Sequence, residues 1–223
     1  MIDLVVFDMA GTTVYDGDAV GDCFRAALAN VGVQADRAAV NDVMGLPKPL
    51  AVRKLLADAG KRTEPGDIDA VHADFVARMK LYYAESPEVR EIAGASAAFA
   101  ELRGAGVKIA LNSGFSRDII DVILRRLDWV GAVDATMASD ESPRGRPYPD
   151  MIGLLMKKVG VSDARRVAKV GDTPVDLQEG TSAGCSIVIG VTTGAFTRAQ
   201  LEPYPHTHIL DSLAEVLKVL RVG

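Results

Sequence analysis

Cysteine is nearly absent from this chain. Cys23 and Cys185 are the two present; they exclude a disulfide framework and read as two reduced, partly buried thiols with no assigned role. Charge of one sign is lacking too. Lys and Arg number 25 against 30 Asp and Glu, a formal net charge of −5, and neither sign collects in a long run. That removes the electrostatic footprint expected for DNA, RNA or an anionic membrane. Long apolar runs are also missing: Leu4 to Phe7 and Ile187 to Ile189 fall far short of the ~18 residues that a membrane span needs. Asp3 and Asp8 stand where a signal peptide would carry a basic region and then an apolar stretch. A cytoplasmic enzyme or binding protein is the expectation.

What is present is ordinary globular material, 48% hydrophobic, 25% charged and 5% aromatic, which sets aside disordered, collagen-like and coiled-coil classes. At about 150 residues per domain, 223 residues predict one core with a sizeable insertion. Short, nearly continuous apolar segments recur at Leu4–Phe7, Val107–Leu111, Val167–Val170 and Ser186–Ile189, the pattern of strands buried on both faces of a parallel sheet. Helical spacing lies between them. Ser116 is expected to cap a helix whose Ile119, Ile120, Ile123, Leu124 and Leu127 share one face. Strand alternating with helix predicts a doubly wound, Rossmann-like α/β fold. From about Val14 to Glu91 the alternation stops. Only helical patterns appear there, at Asp18–Asn30, Asp36–Met44, Pro49–Ala59 and Asp67–Ala84, with Gly17 and Ser86-Pro87 as linker positions.

The chemistry-bearing residues follow the strands. Asp8, in Phe7-Asp8-Met9-Ala10-Gly11-Thr12-Thr13, stands at the carboxyl end of the first strand, where doubly wound folds bind ligands. The second strand runs into Asn112-Ser113-Gly114, a hydroxyl and a glycine before a helix start, suited to a phosphate. Arg146 lies between turn formers in Gly145-Arg146-Pro147-Tyr148-Pro149, and a later strand ends in Gly171-Asp172-Thr173-Pro174-Val175-Asp176. Carboxylates, a hydroxyl and a cation at adjacent strand ends predict a site for Mg²⁺ and a phosphoryl group.

These four loops, in this order, resemble those of the haloacid dehalogenase superfamily, over essentially the whole chain. The resemblance implies a core of residues 1–14 and 92–223 and an all-helical cap over 15–91. It implies Asp8 as a nucleophile forming an aspartyl-phosphate, and Mg²⁺ held by Asp8, Asp172 and the Ala10 carbonyl. Gly11, Thr12, Ser113, Gly114 and Arg146 would bind the phosphoryl group, and Asp176 would orient the metal's surroundings.

One departure is informative. Phosphatases of this superfamily carry a second Asp two residues after the nucleophile, the acid for a leaving alkoxide, and here that position is Ala10. General acid catalysis is worth about 10²–10⁴-fold, so ester hydrolysis should suffer. A carbon–phosphorus bond needs an electron sink instead, which a Lys amine supplies by forming an iminium with a carbonyl β to phosphorus. Lys48 in Met44-Gly45-Leu46-Pro47-Lys48 is the candidate. With the Asp-x-Ala-Gly-Thr nucleophile motif and Gly-Arg-Pro-Tyr-Pro, the chain is similar to the phosphonatase (phosphonoacetaldehyde hydrolase) family. That similarity adds Met44 as a cap contact to substrate and a homodimer through the cap. As aligned, the family has Cys at Asp18, His at Ala51 and Tyr at Phe115, so the expected substrate is a related 2-oxoalkylphosphonate, with the aldehyde among the candidates. A phosphomonoester phosphatase without imine chemistry and a non-catalytic phosphoryl-binding protein are the rivals. A dehalogenase proper is disfavoured by Asp172 and Asp176.

Blander readings apply elsewhere. A Lys between two prolines, as Lys48 is, usually sits in a solvated loop. Lys54, Lys61 and Lys80 read as exposed charges, His206 and His208 as flanks of a loop, and Trp129, Tyr82 and Tyr83 as packing residues.

Overall fold

The structure is a computed structural model, and it describes residues 1–220. In chain order its elements are β1 (Leu4–Asp8), α1 (Ala19–Ala29), α2 (Arg37–Asn41), α3 (Lys48–Asp58), α4 (Pro65–Glu85), α5 (Ala95–Gly104), β2 (Lys108–Asn112), α6 (Arg117–Arg126) and β3 (Ala135–Met137). They continue as α7 (Asp150–Val159), β4 (Val167–Gly171), α8 (Pro174–Ser182), β5 (Ile187–Val191), α9 (Arg198–Leu201), β6 (His208–Leu210) and α10 (Leu213–Leu220). The six strands form one parallel sheet in the order β3-β2-β1-β4-β5-β6, the doubly wound arrangement expected. Every residue of β1 is buried. Its Val5 and Phe7 face one apolar cluster and its Leu4 and Val6 another beneath α7, because successive side chains point to opposite faces. Among the described residues no helix is long and apolar enough to cross a membrane.

Two strands escaped the sequence patterns. β3 and β6 are three residues each at the two edges of the sheet, too short to display a period. His208 therefore opens β6 rather than flanking a loop. Ser116 does precede α6, but its hydroxyl makes no cap bond and is buried without a hydrogen-bond partner. Both cysteines are free and half-buried.

The helices α1 to α4 lie between β1 and the rest of the core. The chain leaves and returns side by side: Tyr15 N donates to Arg90 O at 3.0 Å and Ile92 N to Thr13 O at 2.8 Å, with the Arg90 guanidinium 3.5 Å from the Tyr15 ring centre. On α4, Ile68, Val71, Phe75, Met79 and Tyr83 are buried, a three-and-four spacing that gives one helical face. That face packs on α1 and α3, and α4 also meets α6. Tyr83 lies edge-on to Phe115, with ring centres 5.9 Å apart, so a single apolar cluster runs from the sheet into the inserted helices.

Candidate active site

Tight local geometry fixes the loop after β1. The amides of Thr12, Thr13 and Val14 all donate to Met9 O, at 2.8–3.1 Å, and Gly11 N donates to Val14 O at 2.8 Å. Gly11 sits at φ +86°, and a Cβ there would lie 2.4 Å from Asp172 Oδ2. Only glycine meets both demands. The fold thereby brings Asp8, at the end of β1, and Asp172, after the adjacent β4, to the same edge of the sheet.

Of the residues singled out in the sequence, Asp8, Ala10, Gly11, Met44, Lys48, Ser113, Arg146 and Asp172 line one cavity. Arg146 is its pivot. Nη1 contacts Asp8 Oδ1 and Asp176 Oδ1, each at 2.6 Å, and its buried Nε has no partner among the described residues. Burial disfavours a charged guanidinium, but Asp8 and Asp176 outweigh it and hold Arg146 firmly protonated. An unpartnered guanidinium Nε in the residue that also contacts Asp8 suits a phosphoryl oxygen. Phe115 N donates to Ser113 Oγ at 3.2 Å, which leaves the Ser113 O–H free to donate.

Three expected contributors are placed differently. Thr12 is outside the cavity wall: its hydroxyl donates to Asp172 Oδ1 at 3.1 Å and its amide is committed to Met9. Gly114 is also outside it and lies against the inserted helices, where a Cβ would come 2.5 Å from Leu46 O. Gly11 lines the cavity, yet its amide belongs to Val14. Asp176 is fully buried and held by Arg146, by Lys169 Nζ at 3.0 Å and by the Thr173 hydroxyl at 2.6 Å. Burial would raise its carboxyl, but Lys169 and Arg146 reverse the direction and keep it low.

The blander reading of Lys48 fails. Lys48 is the first residue of α3, 4% exposed, and no part of a solvated loop. Its Nζ stands 5.3 Å from the Phe24 ring centre, 5.9 Å from Phe75 and 5.1 Å from Phe115. Burial, then the charge of Arg146, lowers its amine to about 8, against the pull of Asp8, Asp16 and Asp172.

The donor set also fits a metal. Oxygens of Asp8, Asp172 and Asp176 lie within 4.8 Å of one another. Asp172 receives hydrogen bonds from Thr12 and the Ala195 amide but pairs with no cation among the described residues; burial and the charges of Asp8 and Asp176 push its carboxyl well above the usual range. Around this site four buried carboxyl groups, Asp8, Asp172, Asp176 and Glu179, face three buried cations, Lys48, Arg146 and Lys169. The formal surplus of one negative charge, on hard oxygen donors, suits Mg²⁺.

Sequence reasoning missed Asp16, Thr173 and Ala195 in the wall and the Lys169–Glu179 pair at 3.0 Å. Lys169 did leave a signal, a single charge inside an apolar strand. The aromatic cage left none, since Phe24, Phe75 and Phe115 come from separate elements.

A model of the haloacid dehalogenase-like hydrolase family matches residues 2–184. Phosphonoacetaldehyde hydrolase from Bacteroides fragilis is 30% identical over 228 residues, covering 96% of this chain and 87% of its own. The protein of that name from Syntrophobacter fumaroxidans is 32% identical over 231 residues, covering 96% and 82%. In fold, the chain is similar to a phosphonoacetaldehyde hydrolase-like protein from Oleispira antarctica, with TM-score 0.89, 21% identity, and 99% and 91% of the two chains covered.

Proposed function

The chain belongs to the haloacid dehalogenase-like hydrolases, and on that premise we propose that it hydrolyses the carbon–phosphorus bond of a 2-oxoalkylphosphonate through an imine on Lys48 and an aspartyl-phosphate on Asp8. The observation that carries the reading is Lys48 itself, a buried amine lowered to about 8 inside the cavity of Asp8 and Arg146. A lysine kept there as a mere charge would cost stability with no return, whereas a neutral amine is a nucleophile.

In this reading Arg146 and the Ser113 hydroxyl hold the phosphonyl group against Asp8. Lys48 condenses with the substrate carbonyl, and Asp8 attacks phosphorus while the C–P electron pair moves into the enamine. Water then releases phosphate from Asp8. Mg²⁺, held by Asp8, Asp172 and the Ala10 carbonyl, would neutralise charge on the phosphonyl oxygens when bound. Asp176, pinned between Arg146 and Lys169, keeps the guanidinium aimed. Met44, in the wall beside Lys48, would contact the substrate's carbon chain. The phosphomonoesterase alternative is weakened by Ala10, which offers an alkoxide no proton.

The test is borohydride reduction with 2-oxopropylphosphonate, followed by peptide mapping. An adduct on Lys48 is expected, and consumption of the phosphonate without any lysine adduct would refute the imine. The expected assembly is a homodimer through the inserted helices, where Leu50 and Leu81 are exposed; sedimentation equilibrium reads it.

A further inference from the structure

The scheme above leaves one carboxyl group of the cavity wall unused, the partly buried Asp16. Asp16 lies one residue past the paired crossing at Tyr15 and three residues before the start of α1. Its Oδ1 accepts from Val20 N at 3.0 Å, and its carbonyl accepts from Ala19 N at 2.8 Å. These two bonds clamp the residue to the first turn of α1. Its side chain lines the same cavity as Asp8, Lys48 and Arg146.

Imine chemistry needs a proton donor that the other carboxyl groups of the cavity wall do not offer. Asp8 is committed to Arg146 and to attack on phosphorus, and Asp172 belongs to the metal's donor set. Position 10, where an acid would be sought, is alanine. Asp16 remains. Desolvation raises its carboxyl above the ordinary range despite the bond from Val20, so it keeps a proton to higher pH than an exposed Asp. The groups that face it are Asp18 on its own segment, Cys23 on α1, Lys48 on α3, and Tyr82 and Tyr83 on α4.

We propose that Asp16 is the proton donor for imine formation at Lys48 and the proton acceptor for imine hydrolysis, a carboxyl group supplied from the segment entering α1. The proposal rests on the reading of Lys48 as an imine-forming amine. The neutral amine adds to the carbonyl carbon, a proton passes from nitrogen to oxygen, and a carbinolamine results. Asp16 then protonates the departing hydroxyl: the C–O bond breaks, water leaves, and an iminium and the Asp16 carboxylate remain as a charge pair. After carbon–phosphorus cleavage the enamine carbon takes a proton from the water whose hydroxide releases phosphate from Asp8, and a second water adds to the product iminium. Asp16 takes the proton from that water, and the carbinolamine collapses to free amine and ketone with Asp16 protonated again.

The test compares the whole wild-type chain with Asp16→Asn and Asp16→Glu, using 2-oxopropylphosphonate and Mg²⁺. Asparagine preserves an acceptor for Val20 N and removes the transferable proton. Expected for Asp16→Asn are a loss of about 10²-fold in both the rate of borohydride-trapped Lys48 adduct and kcat, and an unchanged thermal midpoint. Asp16→Glu should recover about tenfold of that loss. Wild-type trapping rates in Asp16→Asn would overturn the proposal while leaving the Lys48 imine standing. So would a slow Asp16→Asn that Asp16→Glu does not improve, or one whose midpoint has fallen. Absence of a Lys48 adduct in the wild type, with phosphonate consumed, would overturn both readings together.

Discussion

The Lys48 ammonium lies 5.1 Å from the centre of the Phe115 ring, and this contact joins the first residue of an inserted helix to the core loop after β2. An aromatic face stabilises a cation by about 0.5–2 kcal/mol, more when water is excluded, and each pKa unit corresponds to about 1.4 kcal/mol. Replacing the ring by Leu should therefore lower the Lys48 amine further, by roughly half a unit to one unit. The expected outcome for Phe115→Leu is an acid limb of Lys48 acylation by an amine reagent displaced to lower pH by that amount. An unmoved limb would remove Phe115 from the tuning of Lys48.

The wild-type limb is itself predicted. Imine formation requires neutral Lys48, and its amine is lowered to about 8 by burial and by Arg146. Below that pH the neutral fraction falls about tenfold per unit, so the rate at which an amine reagent acylates Lys48 should fall with it and level above pH 8. A profile flat from pH 6 to 8 would contradict the assignment.

Lys48 should also be a stability liability. Its folded value of about 8 lies below the ordinary 10.5, so the folded state resists the proton that the unfolded state accepts. The penalty is complete below pH 8 and disappears as pH rises through 10.5, about 3 kcal/mol at its largest. Lys48→Met, similar in length and uncharged, is expected to unfold at higher denaturant than wild type at pH 7, with the difference closing near pH 10.5, and to lose turnover. Equal midpoints at pH 7 would refute it.

Mg²⁺ should act on stability as well as on turnover. A ligand bound only by the folded state at a hundred times its Kd adds about 2.7 kcal/mol, and here it would also relieve the repulsion that raises Asp172. Wild type should gain thermal stability on adding Mg²⁺. Asp172→Asn should be the more stable protein without metal, gain little with it, and lack turnover. Equal Mg²⁺ responses in the two proteins would exclude Asp172 from the metal's donors.

Gly114→Ala probes the seam between core and insertion. Its new Cβ would meet the Leu46 carbonyl, a backbone atom that cannot swing aside, so the segment carrying Lys48 must retreat. A misplacement of about 1 Å can cost about 10²-fold. A large loss of kcat/KM in a folded protein is expected, and wild-type kinetics would show that the seam has slack.

Much of the core was legible because its signals are local. Strands buried on both faces read as apolar runs, the helical insertion announced itself by a change of period, and Asp8, Ser113 and Asp172, read at or after the ends of expected strands, line one cavity with Arg146, read between turn formers. Edge strands β3 and β6 were too short to read. Thr12 and Gly114 looked like phosphate ligands because their loop positions suited one; where the hydroxyl turns and what lies across from the glycine depend on Asp172 and Leu46, distant in sequence.

The sequence by itself determined which carboxylates, hydroxyl and cation were available, and the order of strands that delivers them to one edge of the sheet, since periodicity and turn chemistry act over a few residues. Only the tertiary structure decided that Lys48, flanked by prolines and by every local sign a surface residue, is enclosed by Phe24, Phe75 and Phe115, and that Asp16 shares its cavity. The reason is physical: burial, and with it the protonation of an amine or a carboxyl, is set by whatever atoms surround the group, and here those atoms come from helices and loops tens of residues apart.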